Sequence, residues 1–112
     1  MNDPEQAARL FKLFSVAARV QIVQLLEERV LCVGALAARL DITSAAVSQH
    51  LRILRDAGLV EREKRGNYAH YRINRERLEE CRQVIGEVLT PPAEEAESCV
   101  AEKDAAASSR KS

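Results

Sequence analysis

The sequence has few aromatic residues, whose large side chains usually contribute much of a core. It contains no tryptophan, and its only aromatic residues among 112 are Phe11, Phe14, Tyr68 and Tyr71. Aliphatic side chains must therefore do most of the packing, and a second subunit would help so small a core to bury apolar surface. The length is sufficient for one domain and too short for two.

Long apolar runs and paired cysteines are also missing. No stretch approaches the roughly 18 apolar residues of a membrane-spanning helix, and the N-terminus MNDPEQAARL brings acidic residues before any apolar run, unlike a signal peptide. The three cysteines, Cys32, Cys81 and Cys99, are odd in number and widely spaced, which argues against a secreted disulfide framework. These absences predict a cytoplasmic protein whose reduced thiols are available for metal or redox chemistry.

Net charge is zero, because 17 Lys and Arg balance 17 Asp and Glu. The charges are nevertheless unevenly distributed along the chain. Residues 43–77 hold eight cations against four acids, a local balance of +4, whereas residues 91–112 hold three cations against five acids, a balance of −2. Since the field near a surface depends on local charge, the basic segment can attract phosphates although the whole chain is neutral.

Apolar residues at helical spacing predict about five helices. The first two run over about residues 5–14 and 16–28, with Ser15 expected to cap the second. Residues 29–42 and 43–58 then show two short helical patterns separated by a tight turn, which indicates a helix-turn-helix. We expect Thr43 to cap the second of these and Gly58 to end it in a left-handed conformation.

A β-hairpin and a last helix follow. Residues 59–73, LVEREKRGNYAHYRI, alternate about a turn at residues 65–67, which predicts a hairpin. Asn74 is expected to cap a helix with an apolar stripe that requires a partner helix, formed by Leu78, Cys81, Ile85 and Val88. We therefore predict a DNA-binding and dimerisation domain over residues 1–90 and a mobile, acidic-leaning tail over residues 91–112.

The polar residues of the helix over residues 43–58 fall on one side. Val47, Leu51 and Leu54 lie within about 60° of one another and should be buried. The opposite side suits a DNA major groove, because small side chains permit close approach, Gln can pair with adenine and Arg with guanine or phosphate. Its candidate DNA contacts are Ser44, Ala45, Ser48, Gln49 and Arg52, with His50 on the flank. For this helix alone, a solvated polar face is an equal alternative.

The hairpin strengthens the DNA-binding interpretation. A helix-turn-helix followed directly by a basic hairpin forms a winged helix, in which the wing reaches the backbone or minor groove. The candidate wing contacts are Arg62, Lys64, Arg65 and Asn67, whereas Tyr68 and Tyr71 are expected to pack within the hairpin. For His50 and His70 we expect a DNA-facing or structural role instead of metal ligation. The predicted fold class is mainly α with a β-hairpin wing.

Four segments, LFSVAARVQIVQLL, LCVGALAARL, AAVSQHLRILRDAGLV and KRGNYAHYRI, resemble the ArsR/SmtB family of bacterial winged-helix repressors over roughly residues 7–89. The resemblance implies a homodimer built on the first and last helices, with its two recognition helices in successive major grooves of double-stranded operator DNA. It also implies repression that an inducer, commonly a metal or metalloid ion, relieves.

The sensing motif departs from the family pattern. Arsenic and cadmium sensors often carry Cys-Val-Cys, sometimes followed by another Cys three residues later, where this chain has Cys32-Val33-Gly34 and Ala37. The His and Asp pairs of the zinc and nickel members have no counterpart in residues 74–90. Three alternatives stay open: a metalloid site formed by Cys32 with Cys81 or Cys99, reversible thiol oxidation, or packing alone.

The leading prediction is a dimeric DNA-binding repressor that requires no cofactor and responds to an effector such as arsenite, antimonite or another thiophilic ion. A thiol-redox-responsive or effector-independent regulator is one alternative. A protein-interaction module that has lost DNA binding is another. An enzyme is not expected, because the sequence lacks a glycine-rich phosphate loop, a nucleophile elbow and an acidic cluster with a histidine.

Overall fold

The computed structural model describes residues 3–91 as a helical domain with a small antiparallel sheet. Its elements in chain order are α1 (Pro4–Leu13), α2 (Ala17–Glu28), β1 (Leu31–Cys32), α3 (Val33–Leu40), α4 (Ser44–Asp56), β2 (Val60–Arg65), β3 (Tyr68–Ile73) and α5 (Arg75–Leu89). The five helices and the hairpin confirm the predicted fold class. A mobile tail was predicted for residues 91–112. Residues 92–112 lie outside the described range. Within that range no helix is both long and apolar enough to cross a membrane.

Local chemistry accounts for the ends of α4 and the start of α5. The Thr43 hydroxyl accepts a hydrogen bond of 3.1 Å from the backbone N–H of Ala46, and the Asn74 side chain accepts one of 3.1 Å from the N–H of Arg77. Each side chain satisfies a backbone donor that has no partner within the helix. After α4 the chain turns at Gly58, whose φ of 81° is left-handed. Both predicted caps and the predicted glycine ending are confirmed.

The predicted cap at Ser15 is wrong. Its hydroxyl donates a hydrogen bond of 2.7 Å backward to the carbonyl of Lys12, at the end of α1. Val16 occupies the N-cap position of α2 and makes no side-chain cap hydrogen bond. Ser15 therefore satisfies an acceptor of the preceding helix, since carbonyls at a helix C-terminus lack partners just as N–H groups at an N-terminus do.

The sheet has the strand order β1-β3-β2, and both pairings are antiparallel. Leu31 of β1 pairs with Tyr71 of β3, and Val60 of β2 pairs with Ile73. The strand β1 was not predicted, because two residues are too few to display an alternating pattern. It connects the start of α3 directly to the wing.

The core is aliphatic and lies beneath the helix-turn-helix. Its most deeply buried members come from α2, α3, α4, α5 and the segment that leads into β2: Ile22, Leu36, Val47, Leu51, Leu54, Leu59 and Cys81. The buried stripe predicted for α4 is thereby confirmed. Tyr71 is 8% exposed and packs against this core as expected, but Tyr68 is 69% exposed. The packing role predicted for Tyr68 is wrong, because it lies at the outer end of β3.

The apolar stripe of α5 divides into two halves. Leu78 and Cys81 are buried in the chain's own core, whereas Val88 and Leu89 are 39% and 69% exposed. Phe11, on the neighbouring α1, is 40% exposed. The first half of α5 is thus packed within the single chain, and its last two turns expose apolar surface beside α1.

Candidate nucleic-acid interface

The outward side of α4 is exposed along its length. Its predicted contact residues, Ser44, Ala45, Ser48, Gln49 and Arg52, are all exposed, while Val47 and Leu51 on the other side are buried. Ala45, Ser48, Gln49 and Arg52 line one shallow concave strip with Ile53 and Asp56. The strip carries short polar groups near the helix N-terminus and a long cation one turn later, which is the arrangement that a major groove accepts.

His50 lies beside this strip and not on it. The residue is half-buried, and its Nδ1 is buried without a hydrogen-bond partner among the described residues. His70, on β3, has the same two properties. His50 is therefore placed on the flank of α4 as predicted, with only part of its ring available to a ligand.

A second concavity of about 440 Å³ joins α4 to the wing. It is lined by Ser48, Arg52, Arg55, Asp56, Arg62 and Tyr71. Arg62 pairs with Tyr71 across the sheet, and Lys64 pairs with Ala69, so strand alternation places Arg62 and Lys64 on the side of the wing that faces the helices. Three arginines from two elements thus converge on one open surface.

Arg55 was missing from the sequence-based set of contacts. It follows Arg52 by three residues and lies on the same side of α4, as residues at that spacing do. The spacing was visible in the sequence. The convergence with Arg62 was not, because it depends on how the hairpin folds back beside the helix.

The cations of the basic segment divide into two groups. Arg52, Arg55, Arg62 and Lys64 form no ion pair within the described residues. Arg72, in contrast, lies 3.1 Å from a carboxylate oxygen of both Glu61 and Glu63, and Arg65 also pairs with Glu63. The hydrogen bond from Arg65 is the main cause that lowers the pKa of Glu63. Cations without an ion pair therefore lie between α4 and the near side of the wing, where Asp56 is also part of the surface.

The tip of the wing is a two-residue turn. Gly66 adopts a φ of 63°, which glycine tolerates without a steric penalty. Asn67 is exposed beside it, and the exposed Tyr68 begins the next strand. The tip therefore presents an amide and an aromatic ring outward, together with the paired Arg65.

The thiols occupy unlike surroundings. Cys32 is half-buried at the N-cap position of α3, and its Cα partner across the sheet is His70. Cys81 is 1% exposed, and burial raises the pKa of its thiol, which disfavours the thiolate that binds metals. No group of three or more His, Cys, Asp or Glu side chains in residues 3–91 is arranged to hold a metal ion. Cys99 lies outside the described residues.

Comparison with known proteins agrees with this geometry. A family model described as "Bacterial regulatory protein, arsR family" matches residues 17–62. The chain is 34% identical over 89 residues to an uncharacterized HTH-type transcriptional regulator of Methanocaldococcus jannaschii. The aligned region covers 79% of this chain and 100% of that protein. It is 40% identical over 67 residues to the arsenical resistance operon repressor of Escherichia coli, covering 59% of this chain and 57% of that repressor.

Solved structures give the same result. The crystal structure of a "possible transcriptional regulator for arsenical resistance" is 32% identical with a TM-score of 0.68, covering 73% of this chain and 85% of that one. The solution structure of a homodimeric winged helix-turn-helix DNA-binding domain from Mycobacterium bovis is 26% identical with a TM-score of 0.62, covering 83% and 89%. Together with the fold, these matches show that the chain belongs to the ArsR/SmtB family of winged helix-turn-helix transcriptional regulators.

Proposed function

We propose that the chain is a dimeric, sequence-specific repressor whose affinity for operator DNA is lowered by an effector that acts on cysteine thiols. The observation that carries the DNA-binding part is the open surface shared by α4 and the wing, where Ser48, Arg52 and Arg62 meet. These three residues are exposed, and within residues 3–91 neither arginine forms an ion pair, although Asp56 also lines this surface. Such a repressor acts in the cytoplasm.

The contacts divide between reading bases and holding the backbone. Gln49 and Arg52 are long enough to reach base edges, and Ala45 and Ser48 let the helix approach closely. Phosphates are bound by the cations of α4 and the wing and by polar groups at their margins, namely Ser44, His50, Arg55, Arg62, Lys64, Arg65 and Asn67. The ion pair with Glu63 reduces the contribution of Arg65 to phosphate binding.

A homodimer provides the two recognition helices that a palindromic operator requires. The exposed Phe11, Val88 and Leu89 on α1 and α5 supply apolar surface for it. The homodimeric M. bovis domain supports the same assembly. The domain proposed for DNA binding and dimerisation is residues 1–90.

Cys32 is the residue around which the effector site is proposed, together with at least one of Cys81 and Cys99. It is the more exposed of the two described thiols and begins the helix-turn-helix. Arsenite, antimonite and other thiophilic ions suit such ligands, and the similar E. coli protein is named for arsenical resistance. Residues 3–91 by themselves do not form a complete metal site, so a further thiol must come from Cys99 or from a second subunit. Reversible oxidation of Cys32 is the alternative favoured by its partial exposure.

The test uses a duplex that the reduced wild-type chain selects from a library with a random core. Gel-shift titration should show tight binding that weakens steeply as salt rises, because phosphate contacts release counterions. If no duplex is retained even at low salt, the chain is not a DNA-binding protein and the interaction-module alternative replaces it.

The effector is tested on the same complex. Arsenite should release the duplex and produce sulfur-to-arsenic absorption, and Cys32→Ser should abolish both responses. Release by peroxide that dithiothreitol reverses, without any response to arsenite, would favour the redox alternative. A Cys32→Ser variant with unchanged responses to both reagents would remove the thiol from the mechanism.

A further inference from the structure

Two arginines in the first turn of α5 donate hydrogen bonds to carbonyl groups at the C-terminal ends of other helices. Arg75 Nη2 donates a hydrogen bond of 2.9 Å to the carbonyl of Glu27, in the last turn of α2. Arg77 Nε donates one of 3.0 Å to the carbonyl of Ala57, the C-cap residue of α4. The same short segment therefore contacts the ends of two helices, and one of them is the recognition helix.

The chemistry of these contacts is well matched. The last carbonyls of a helix have no partner within it, and the aligned peptide dipoles leave the C-terminus partially negative. A guanidinium group supplies both a directed donor and a positive charge. Arg77 is thus a C-terminal cap for α4 that is provided by a different helix, twenty residues further along the chain.

Arg77 is held in place from several sides. A Cβ atom built at Gly58 would lie 3.7 Å from Cγ and Nε of Arg77 and 3.8 Å from Cδ, so the aliphatic stem lies over this glycine. On the other side, Nη1 lies 3.1 Å from a carboxylate oxygen of Glu80. The side chain is 27% exposed, so solvent competes only partly for its hydrogen bonds.

No other side chain of α5 forms a hydrogen bond to the end of α4 within the described residues. The Arg77 contact is accompanied by a backbone hydrogen bond of 2.8 Å from the N–H of Asn74 to the carbonyl of Leu59. Arg77 consequently joins α5, whose C-terminal end exposes apolar surface, to α4, which carries the polar strip.

We propose that Arg77 is a positioning residue that sets the angle between α4 and α5 and thereby the operator half-site spacing that the dimer accepts. This inference rests on the proposed function, because it requires a dimer through α1 and α5 and DNA contacts from α4. A helix of 13 residues is about 20 Å long, so a small rotation at its C-terminus moves its N-terminal contacts by several ångströms. Two such helices must enter grooves about 34 Å apart, which makes the spacing preference sensitive to this angle.

The experiment compares full-length variants on a series of duplexes derived from the one that the wild-type chain selects. The series lengthens or shortens the centre between the half-sites by one and two base pairs and includes a single half-site. Arg77→Met keeps the stem over Gly58 and removes the donor and the charge. Arg77→Lys keeps the charge but places a methylene where Nε donates to Ala57. Arg75→Gln is the matched control, since it removes an equivalent bond to α2 only.

We expect Arg77→Met to lower the preference for the selected spacing over altered spacings by about tenfold, while its affinity for the single half-site stays near that of the wild type. Arg77→Lys should lower the preference by a smaller factor, and Arg75→Gln should leave it unchanged. Circular dichroism and sedimentation of each variant establish that it is folded and dimeric. If Arg77→Met does not fold, Arg77→Lys carries the test.

An unchanged spacing preference in a folded, dimeric Arg77 variant overturns the inference. So does an equal loss of affinity on every duplex, or the same change in Arg75→Gln, because either indicates a general stabilising role. Failure of the wild-type chain to bind any duplex refutes the proposed function instead and is recognised before a variant is made.

Discussion

The arginines that line the concavity between α4 and the wing and those of the β3–α5 region occur within one basic segment but have opposite surroundings. Arg52, Arg55 and Arg62 converge on an open surface and form no ion pair within residues 3–91, whereas Arg72 and Arg77 are bound by carboxylates and backbone carbonyls. A charge count along the sequence treats both groups alike. The comparison teaches that part of the positive charge counted in this segment is already bound by other groups of the chain, so the first group is the more available to phosphates.

The largest expected effect comes from a substitution that unfolds α4, the helix that carries Arg52 and Arg55. Leu51→Asp places an unpaired carboxylate at a site that is 1% exposed, and we expect a loss of stability of about 4 kcal/mol or more. Urea denaturation followed by circular dichroism measures it. Since unfolding precedes any change in recognition, a stable variant with altered sequence preference would contradict the burial described here.

Arg52→Ala tests the first group directly. Operator binding should weaken by about 1–3 kcal/mol, with reduced discrimination at one base position, if this side chain pairs with a base. Fluorescence anisotropy with single-base variants of the selected duplex measures both quantities. Arg72→Ala is the control from the second group and should change binding much less. Equal losses in the two variants would abolish the distinction between the groups.

The wing contains cations of both kinds, and Lys64 and Arg65 are adjacent examples that sharpen the comparison further. Lys64→Ala should weaken binding uniformly across sequences and lower the salt slope by about 1. Arg65→Ala should also act uniformly, but with a smaller change in slope because Glu63 already partly neutralises it. Binding titrations at several salt concentrations provide the slopes. A larger change for Arg65 than for Lys64 would show that the Glu63 pair opens on DNA.

Glu63→Gln should have the smallest effect. It releases Arg65 and removes one of the two carboxylates that bind Arg72, so DNA affinity should rise slightly and the salt slope should steepen. The pKa of Glu63 is lowered in the folded chain, so its stabilising contribution is present above the unfolded pKa of about 4.3 and is lost as pH falls through the lower folded value. The stability difference between wild type and variant should therefore vanish in acid. A difference that persists there would assign the effect to something other than this carboxylate.

The parts of the fold that depend on neighbouring residues were predictable. The stripe of Val47, Leu51 and Leu54, the caps at Thr43 and Asn74 and the turn at Gly66 follow from spacing and residue type within a few positions. The exposed strip of α4 is simply the other side of its buried stripe. Local signals therefore sufficed for the helices and for the exposed side of α4.

The remaining features depend on contacts between distant segments. The strand β1 exists only because it pairs with β3, and the exposure of Tyr68 depends on where the hairpin ends. The partners of Arg75 and Arg77 are 48 and 20 residues away. No pattern within a short window indicates such partners, and for the same reason Arg55 was counted as a charge but was not assigned to the site.

The connection between α4 and β2 contains only residues 57–59. Chain geometry limits the distance from Asp56 to Val60 to about 14 Å, so the C-terminal end of α4 and the start of β2 stay close together through any change in side-chain packing. The two elements must therefore approach a duplex as one unit. Insertion of a single residue into this connection would alter the footprint on each half-site while leaving every contacting side chain intact.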